Sequence, residues 1–271
     1  MNNHEQKVSI IIRTFNEQYW IPKLLRKIKE QTYINYDIIL VDNYSNDKTI
    51  EIFYNFFPKS KVVNLKVFNP GKAINLGIKE TNSELIVIIS AHCVPKNKFW
   101  LKKLVANMKP DDVVACYGRQ IPLSTSASND KRDLLNTFGV EKRVQKKDSF
   151  FHNANSIIKK SFWKKFPFDE SFDHIEDRVW AKKVIKEKKL IIYEPDACVY
   201  HYHGINHSSN DLRAKKISEI LTRFTLGNSN KIPSFMEFMQ SKTLYCILGH
   251  STKTNKIFKE TIKTIKSSNN D

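Results

Sequence analysis

Apolar and polar positions alternate in two rhythms along the first half of the chain. Val8–Arg13 is a nearly unbroken β-branched run, as expected of a strand buried on both faces. Trp20–Gln31 carries its apolar residues at 21, 24, 25 and 28, with Pro22 near the start, which is helical spacing. Tyr36–Val41 reads as a second strand ending at Asp42, and Asn46–Phe57 as a helix opened by Asp47-Lys48-Thr49. A third strand (Lys61–Phe68), a helix (Gly71–Thr81) and a fourth strand (Glu84–Ile89) follow. This βαβαβαβ order predicts an α/β fold with a mostly parallel sheet and helices on both faces. Ligands of such sheets bind at the carboxyl ends of the strands. Arg13–Glu17, Asp42–Asp47 and Ser90–Pro95 all lie at such ends and are expected to be neighbours in space.

Beyond Pro95 the pattern gives a helix (Phe99–Met108), a strand (Val113–Tyr117) and a polar loop or lid with a short helix inside (Ser124–Lys147). Asn153–Ile158 reads as a strand, Lys160–Lys165 and Trp180–Glu187 as helices, and Leu190–Tyr193 and Ala197–His203 as strands. Leu212–Asp271 differs in character and is expected to be mainly helical; it carries eleven basic and four acidic residues. The expected division is residues 1–210 as one catalytic α/β domain and 211–271 as a basic helical extension.

Composition narrows the classes. A chain of 271 residues can bury one substantial core. No apolar run reaches the roughly 18 residues that span a bilayer, and Met1–Lys7 is polar, unlike a secretory leader. A cytoplasmic protein is expected, peripheral at the inner membrane face if it meets lipid. Cys93, Cys116, Cys198 and Cys246 are far apart, which argues against a cysteine zinc site or a disulfide framework. The formal charge of +17 draws polyanions, or is simply a solvated lysine-rich surface. There is no GxGxxG after the first strand and no GxxxxGK[ST], so a dinucleotide enzyme and a P-loop NTPase are disfavoured. Asp42 can accept from a base N–H or ribose hydroxyl, or close an Asx-turn after its strand; from this residue alone the two readings weigh equally.

Three ordered segments carry a resemblance: Ile10-Ile11-Ile12-Arg13-Thr14-Phe15-Asn16-Glu17, Val41-Asp42-Asn43-Tyr44-Ser45-Asn46-Asp47 and Asn69-Pro70-Gly71-Lys72-Ala73-Ile74-Asn75. With Glu176-Asp177, the chain over about residues 8–205 resembles family 2 glycosyltransferases of GT-A fold, of the bacterial surface-polysaccharide type. The resemblance implies a nucleotide-diphosphate sugar donor, UDP or dTDP first, and inversion at the anomeric carbon. It implies that Thr14, Asn16, Glu17, Asp42 and Asn43 hold the nucleoside, with Lys72 and Asn75 near ribose and diphosphate. The acceptor it implies is a glycan or lipid-linked glycan precursor of capsule, O-antigen or lipooligosaccharide.

One departure stands out. Where the family usually has an Asp-x-Asp-like motif holding a divalent metal (Mn²⁺ or Mg²⁺), this chain reads Ser90-Ala91-His92. Imidazole suits Mn²⁺ or later metals better than Mg²⁺. Three readings stand: His92 ligates a metal, His92 hydrogen-bonds the diphosphate without one, or the site is inactive. Residues two apart on a strand share a face, so His201 or His203 could join His92; the alternative is two partly exposed strand histidines.

Inverting transfer needs one carboxylate to deprotonate the attacking hydroxyl. By family position that base is Asp177, with Glu176 beside it; alone, an acidic pair at a helix start is more often structural. Arg119, Asn153 and Asn155 are expected on the acceptor side. Arg178 either neutralises phosphate or faces solvent, and Trp180 either stacks on a sugar face or fills core. In the tail, Ile257, Phe258, Ile262 and Ile265 interleave with Lys256, Lys259, Lys263 and Lys266. That pattern suits an anionic membrane surface, or a helix packed on the catalytic domain. Two rivals stand beside the transferase. One is a non-catalytic nucleotide-sugar-binding subunit of an assembly complex. The other is a nucleic-acid binder, which lacks any recognisable motif, so no specific nucleic acid is expected.

Overall fold

The computed structural model describes residues 5–172 and 174–203. The expected helical extension lies outside them. The strands are β1 (Val8–Thr14), β2 (Tyr36–Asp42), β3 (Lys61–Asn64), β4 (Leu85–Ser90), β5 (Cys93–Pro95), β6 (Val113–Pro122), β7 (Arg143–Gln145), β8 (Asn155–Lys159) and β9 (Leu190–His201). The helices are α1 (Ile21–Lys29), α2 (Thr49–Phe56), α3 (Pro70–Lys79), α4 (Trp100–Ala106), α5 (Ser128–Thr137), α6 (Lys160–Lys165) and α7 (Glu176–Lys186). Contacts place residues 5–120 and 140–201 in one unit, and residues 121–139 and 202–203 in another.

The sheet order is β3-β2-β1-β4-β8-β6-β9-β5, with β7 beside β9. The β3-β2-β1-β4 half is parallel, as the alternation of strands and helices predicts. The other half is not: β4/β8, β6/β8, β5/β9 and β7/β9 are antiparallel, so the sheet is mixed. Every residue of β4 is buried, as are Val8 and Ile10–Ile12 of β1, which explains their continuous apolar sequence. Helix α1 packs Ile21, Leu24, Leu25 and Ile28 into the same core. Gly77 lets α3 approach the sheet, since a Cβ there would meet Ile11 Cγ2 at 2.7 Å. Gly118 has the same role between strands: a Cβ would meet the Ala197 carbonyl oxygen at 1.9 Å.

Several expected boundaries move. The third strand stops at Asn64 rather than Phe68, and Val67 and Phe68 are exposed. The loop expected over 124–147 contains α5 and the short strand β7. The two late strands are one, running through Pro195, and it ends at His201 rather than His203. Helix α7 begins at Glu176, so the acidic pair occupies its first turn. Among the described residues, no helix is long and apolar enough to cross a membrane.

Candidate active site

The ends of β1, β2 and β4 meet as expected, because Thr14 pairs in register with Asp42 and Arg13 with Ser90. The loops beyond β1 and β2 are stitched to each other. Asn16 donates its backbone N–H to Ser45 Oγ (2.8 Å), and its Oδ1 accepts from the Asn46 N–H (2.9 Å). Glu17 and Gln18 donate backbone N–H groups to Thr49 Oγ1 and Asp47 Oδ2. Asp42 is fully buried, and its carboxylate accepts from Ser45 N (2.8 Å) and Ser45 Oγ (2.6 Å). These bonds close the loop onto the residue three positions on and leave about two of the four lone-pair positions of the carboxylate. Thr14 Oγ1 and Asn43 Oδ1, by contrast, are buried with no hydrogen-bond partner among the described residues. A buried polar group left so costs about 1–3 kcal/mol, and a bound ligand that bonds to it removes that cost.

Glu17, expected at the nucleoside, has its Oε1 2.6 Å from His92 Nδ1. The His92 ring stacks on that of His201, with centroids 5.1 Å apart and planes 8° from parallel. His201 Nδ1 sits 2.7 Å from Gln120 Oε1, and Gln120 Nε2 sits 3.1 Å from His152 Nδ1. With carboxylate and amide oxygens accepting at both Nδ1 atoms, each neutral ring carries its proton on Nδ1 and its lone pair on Nε2. Cys93 pairs in register with His201, and one ligand atom from each of His92, Cys93 and His201 lies within 4.8 Å of the others. Burial pushes the Cys93 thiol far above its ordinary value, so it is a neutral thiol here. His203 lies beyond the end of β9, with its ring edge-on to Tyr202.

The acidic pair is held at both ends. Ile175, just before it, takes a left-handed φ of 60°, unusual for a β-branched residue. Glu176 is buried; its Oε1 accepts from Asn153 Nδ2 (3.2 Å) and lies 3.7 Å from Arg13 Nη1. Asp177 is half-buried and accepts from the Asn153 N–H (3.3 Å) and the Arg178 N–H (2.8 Å). Asn153 therefore ties both carboxylates to the segment before β8. Burial first, then the neighbouring Asp177, pushes the Glu176 carboxyl up to about 7, against Arg13 and the Asn153 bond.

Four expected site residues have other work. Trp180 is fully buried among Phe151, Phe162 and Phe168, and its indole donates to the Phe166 carbonyl, so it fills core. Asn155 accepts from Trp100 Nε1 and donates to the Ala197 and Arg119 carbonyls, which commits it to joining elements. Asn75 accepts from Trp163 Nε1 and the Phe168 N–H and donates to the Phe168 carbonyl and Glu170, which anchors the 168–170 segment to α3. Arg178 lays its guanidinium over the Phe150 ring, 5.1 Å from the centroid. Lys72 is exposed in the first turn of α3, capped by Asn69. The Arg119 charge acts on Tyr193 and Cys198.

Sequence reasoning placed Arg13 and Cys93 only within strand-end segments, without a role, and missed Gln120 and His152. A cation ending an otherwise apolar strand was a readable signal for Arg13. Nothing local marks Gln120. Phe15 and Tyr44, both half exposed, flank Thr14 and Asn43 at the strand ends and were also passed over.

The model of glycosyl transferase family 2 matches residues 9–166, more than half of the chain. The chain belongs to this family. The O-antigen chain rhamnosyltransferase RfbN of Salmonella typhimurium is 25% identical over 211 residues, 73% of this chain and 67% of RfbN. A dolichyl N-acetylglucosaminyl phosphate diacetamido-dideoxyglucuronosyltransferase of Methanococcus voltae is 36% identical over 99 residues, 34% of this chain and only 31% of the archaeal enzyme. Among solved structures, the mannosyltransferase PcManGT of Pyrobaculum calidifontis, in complex with GDP-Man and Mn²⁺, superposes with a TM-score of 0.68. It is 15% identical and is matched over 98% of this chain and 76% of its own. S. aureus TarS 1-349 with UDP-GlcNAc gives a TM-score of 0.60 at 17% identity, over 97% and 90% of the two chains. At these identities the structures establish the GT-A-like fold of this family 2 glycosyltransferase.

Proposed function

We propose that the chain is an inverting glycosyltransferase that moves a sugar from a nucleotide-diphosphate sugar to a hydroxyl of a surface-polysaccharide precursor. The observation that carries this reading is the acidic pair: a half-exposed Asp177 beside a buried Glu176, both tied to Asn153. One accessible carboxylate held by backbone donors is what an acceptor hydroxyl needs. As the acceptor oxygen bonds to the anomeric carbon, its proton passes to an Asp177 oxygen. The bond from that carbon to the donor diphosphate breaks, and the nucleoside diphosphate leaves with the electron pair.

The nucleoside would lie over the joined β1 and β2 loops, where Thr14 Oγ1 and Asn43 Oδ1 gain partners and the Phe15 and Tyr44 rings offer stacking surfaces. A divalent metal fits the donor set at His92 and His201, because Glu17 and Gln120 engage both Nδ1 atoms and leave each Nε2 as the ligand nitrogen. Two imidazoles favour Mn²⁺ or a later ion over Mg²⁺. Such an ion, when bound, neutralises charge on the leaving diphosphate. The acceptor class rests on the likeness to RfbN; with it goes assembly at the inner membrane face.

Thermal-shift titration against UDP, dTDP, GDP, CDP and CMP, each with Mn²⁺, Mg²⁺ or EDTA, tests the donor half of this reading. One nucleoside diphosphate is expected to stabilise the protein, more strongly with Mn²⁺. Absence of any shift under all conditions would overturn the nucleotide-sugar donor.

A further inference from the structure

Arg13 is the one ionic side chain on β1, and it stands at the centre of the site. Its side chain is only 14% exposed. Nη2 donates to Ser90 Oγ at 3.3 Å, Nη1 lies 3.7 Å from Glu176 Oε1, and Nε is buried without a hydrogen-bond partner among the described residues. Burying a guanidinium is costly unless a counter-charge is near, and the carboxylate bridged to it here is Glu176. Ser90 is its register partner on the adjacent parallel strand.

This geometry bears on the serine at position 90. A carboxylate there would stand where Ser90 Oγ now touches the guanidinium. It would form a charge-assisted and potentially bidentate pair with Arg13, far stronger than the present neutral bond. The guanidinium would then turn from Glu176, to which it makes an ion pair but no hydrogen bond. A hydroxyl instead steers Arg13 without competing for its charge.

We propose that Arg13 is the positioning residue of the acidic pair, fixing Glu176 beside Asp177 from the end of β1, and that residue 90 is neutral so that this guanidinium stays at Glu176. The inference rests on the transferase reading for its purpose, but not for its test. Glu176 is faced by Arg13 from β1, by Asp177 from its own helix and by the neutral Asn153 amide from the segment before β8. Arg13 is the favourable charge among them.

The test is ¹³C NMR titration of glutamate carboxyls in the full chain, with the Glu176 signal assigned by its loss in Glu176→Gln. In Arg13→Gln the Glu176 midpoint should rise by about one pH unit or more, the effect of removing an opposite charge at this range. Arg13→Lys should restore part of it. Ser90→Asp should raise the midpoint as Arg13→Gln does, whereas Ser90→Asn should leave it in place. A Glu176 midpoint unchanged in folded Arg13→Gln, or raised equally by Ser90→Asn, overturns the inference. If Arg13→Gln does not fold, the two Ser90 variants decide it. The NMR result needs no turnover, so an inactive wild-type protein would refute the transferase reading and leave this one standing.

Discussion

Replacing Asn155 by alanine separates a structural from a substrate-facing role at a position where sequence favoured the latter. The Asn155 amide is fully buried at the start of β8. It accepts from the Trp100 indole at 2.8 Å and donates to the carbonyls of Ala197 at 2.8 Å and Arg119 at 3.2 Å. It thus joins α4, β6 and β9 to β8. Alanine would leave the buried indole N–H unbonded, at about 1–3 kcal/mol, and remove one acceptor bond from each carbonyl, at about 1 kcal/mol each. The sum is about 3–5 kcal/mol, a large part of the roughly 5–15 kcal/mol that holds a domain together. Urea unfolding followed by tryptophan fluorescence measures the effect. With m near 2 kcal/mol/M, the midpoint should fall by about 2 M. A midpoint within about 0.5 M of wild type, with a raised acceptor KM, would refute the reasoning and return Asn155 to the acceptor side.

Three other outcomes are expected. The Glu176 carboxyl is raised from 4.5 to about 7 by burial. Between those values the folded state holds a proton that the unfolded state has released, so this group makes stability fall as pH rises. Glu176→Gln should therefore gain stability relative to wild type as pH goes from 5 to 8, measured by urea titrations at each pH; an unchanged difference would contradict the burial assigned to Glu176. Gln120→Leu should weaken Mn²⁺ binding about 10–100-fold by freeing the His201 ring, read by calorimetry without nucleotide; an unaltered affinity would remove His201 from the ligand set. Trp180→Ala should destabilise by about 3–5 kcal/mol through the cavity it leaves, while nucleotide affinity of the folded fraction stays the same; loss of affinity instead would put the indole at the ligand.

The parallel half of the sheet was legible because Val8–Ile12 and Leu85–Ile89 are apolar on both faces, and α1 because its four buried residues keep helical spacing. Strands β5 and β7 have three residues each, too few for any rhythm, and exist because β9 pairs with them. Strand β9 read as two because Glu194-Pro195-Asp196 has turn composition; the strand continues because Glu194 is buried, accepting from Asn107 Nδ2 and pairing with Lys142. The acidic pair and His92 stood out in sequence. That His92 would stack on His201, and that Gln120 would orient it, follows from antiparallel register between segments about a hundred residues apart, which no local pattern encodes. Asn75 and Asn155 misled for the reverse reason: a polar residue at a strand or helix end looks the same in sequence whether it meets a ligand or buried indole and backbone groups.

The central claim is that Asp177 takes the proton of an acceptor hydroxyl during transfer from a nucleotide sugar. The direct measurement is release of nucleoside diphosphate from the donor sugar whose nucleotide gives the thermal shift, comparing wild type with Asp177→Asn at equal donor occupancy. The account predicts that the variant binds the nucleotide with wild-type affinity and turns over about 10²–10⁴-fold more slowly, the usual contribution of a positioned general base. Turnover within a few-fold of wild type in Asp177→Asn would contradict it.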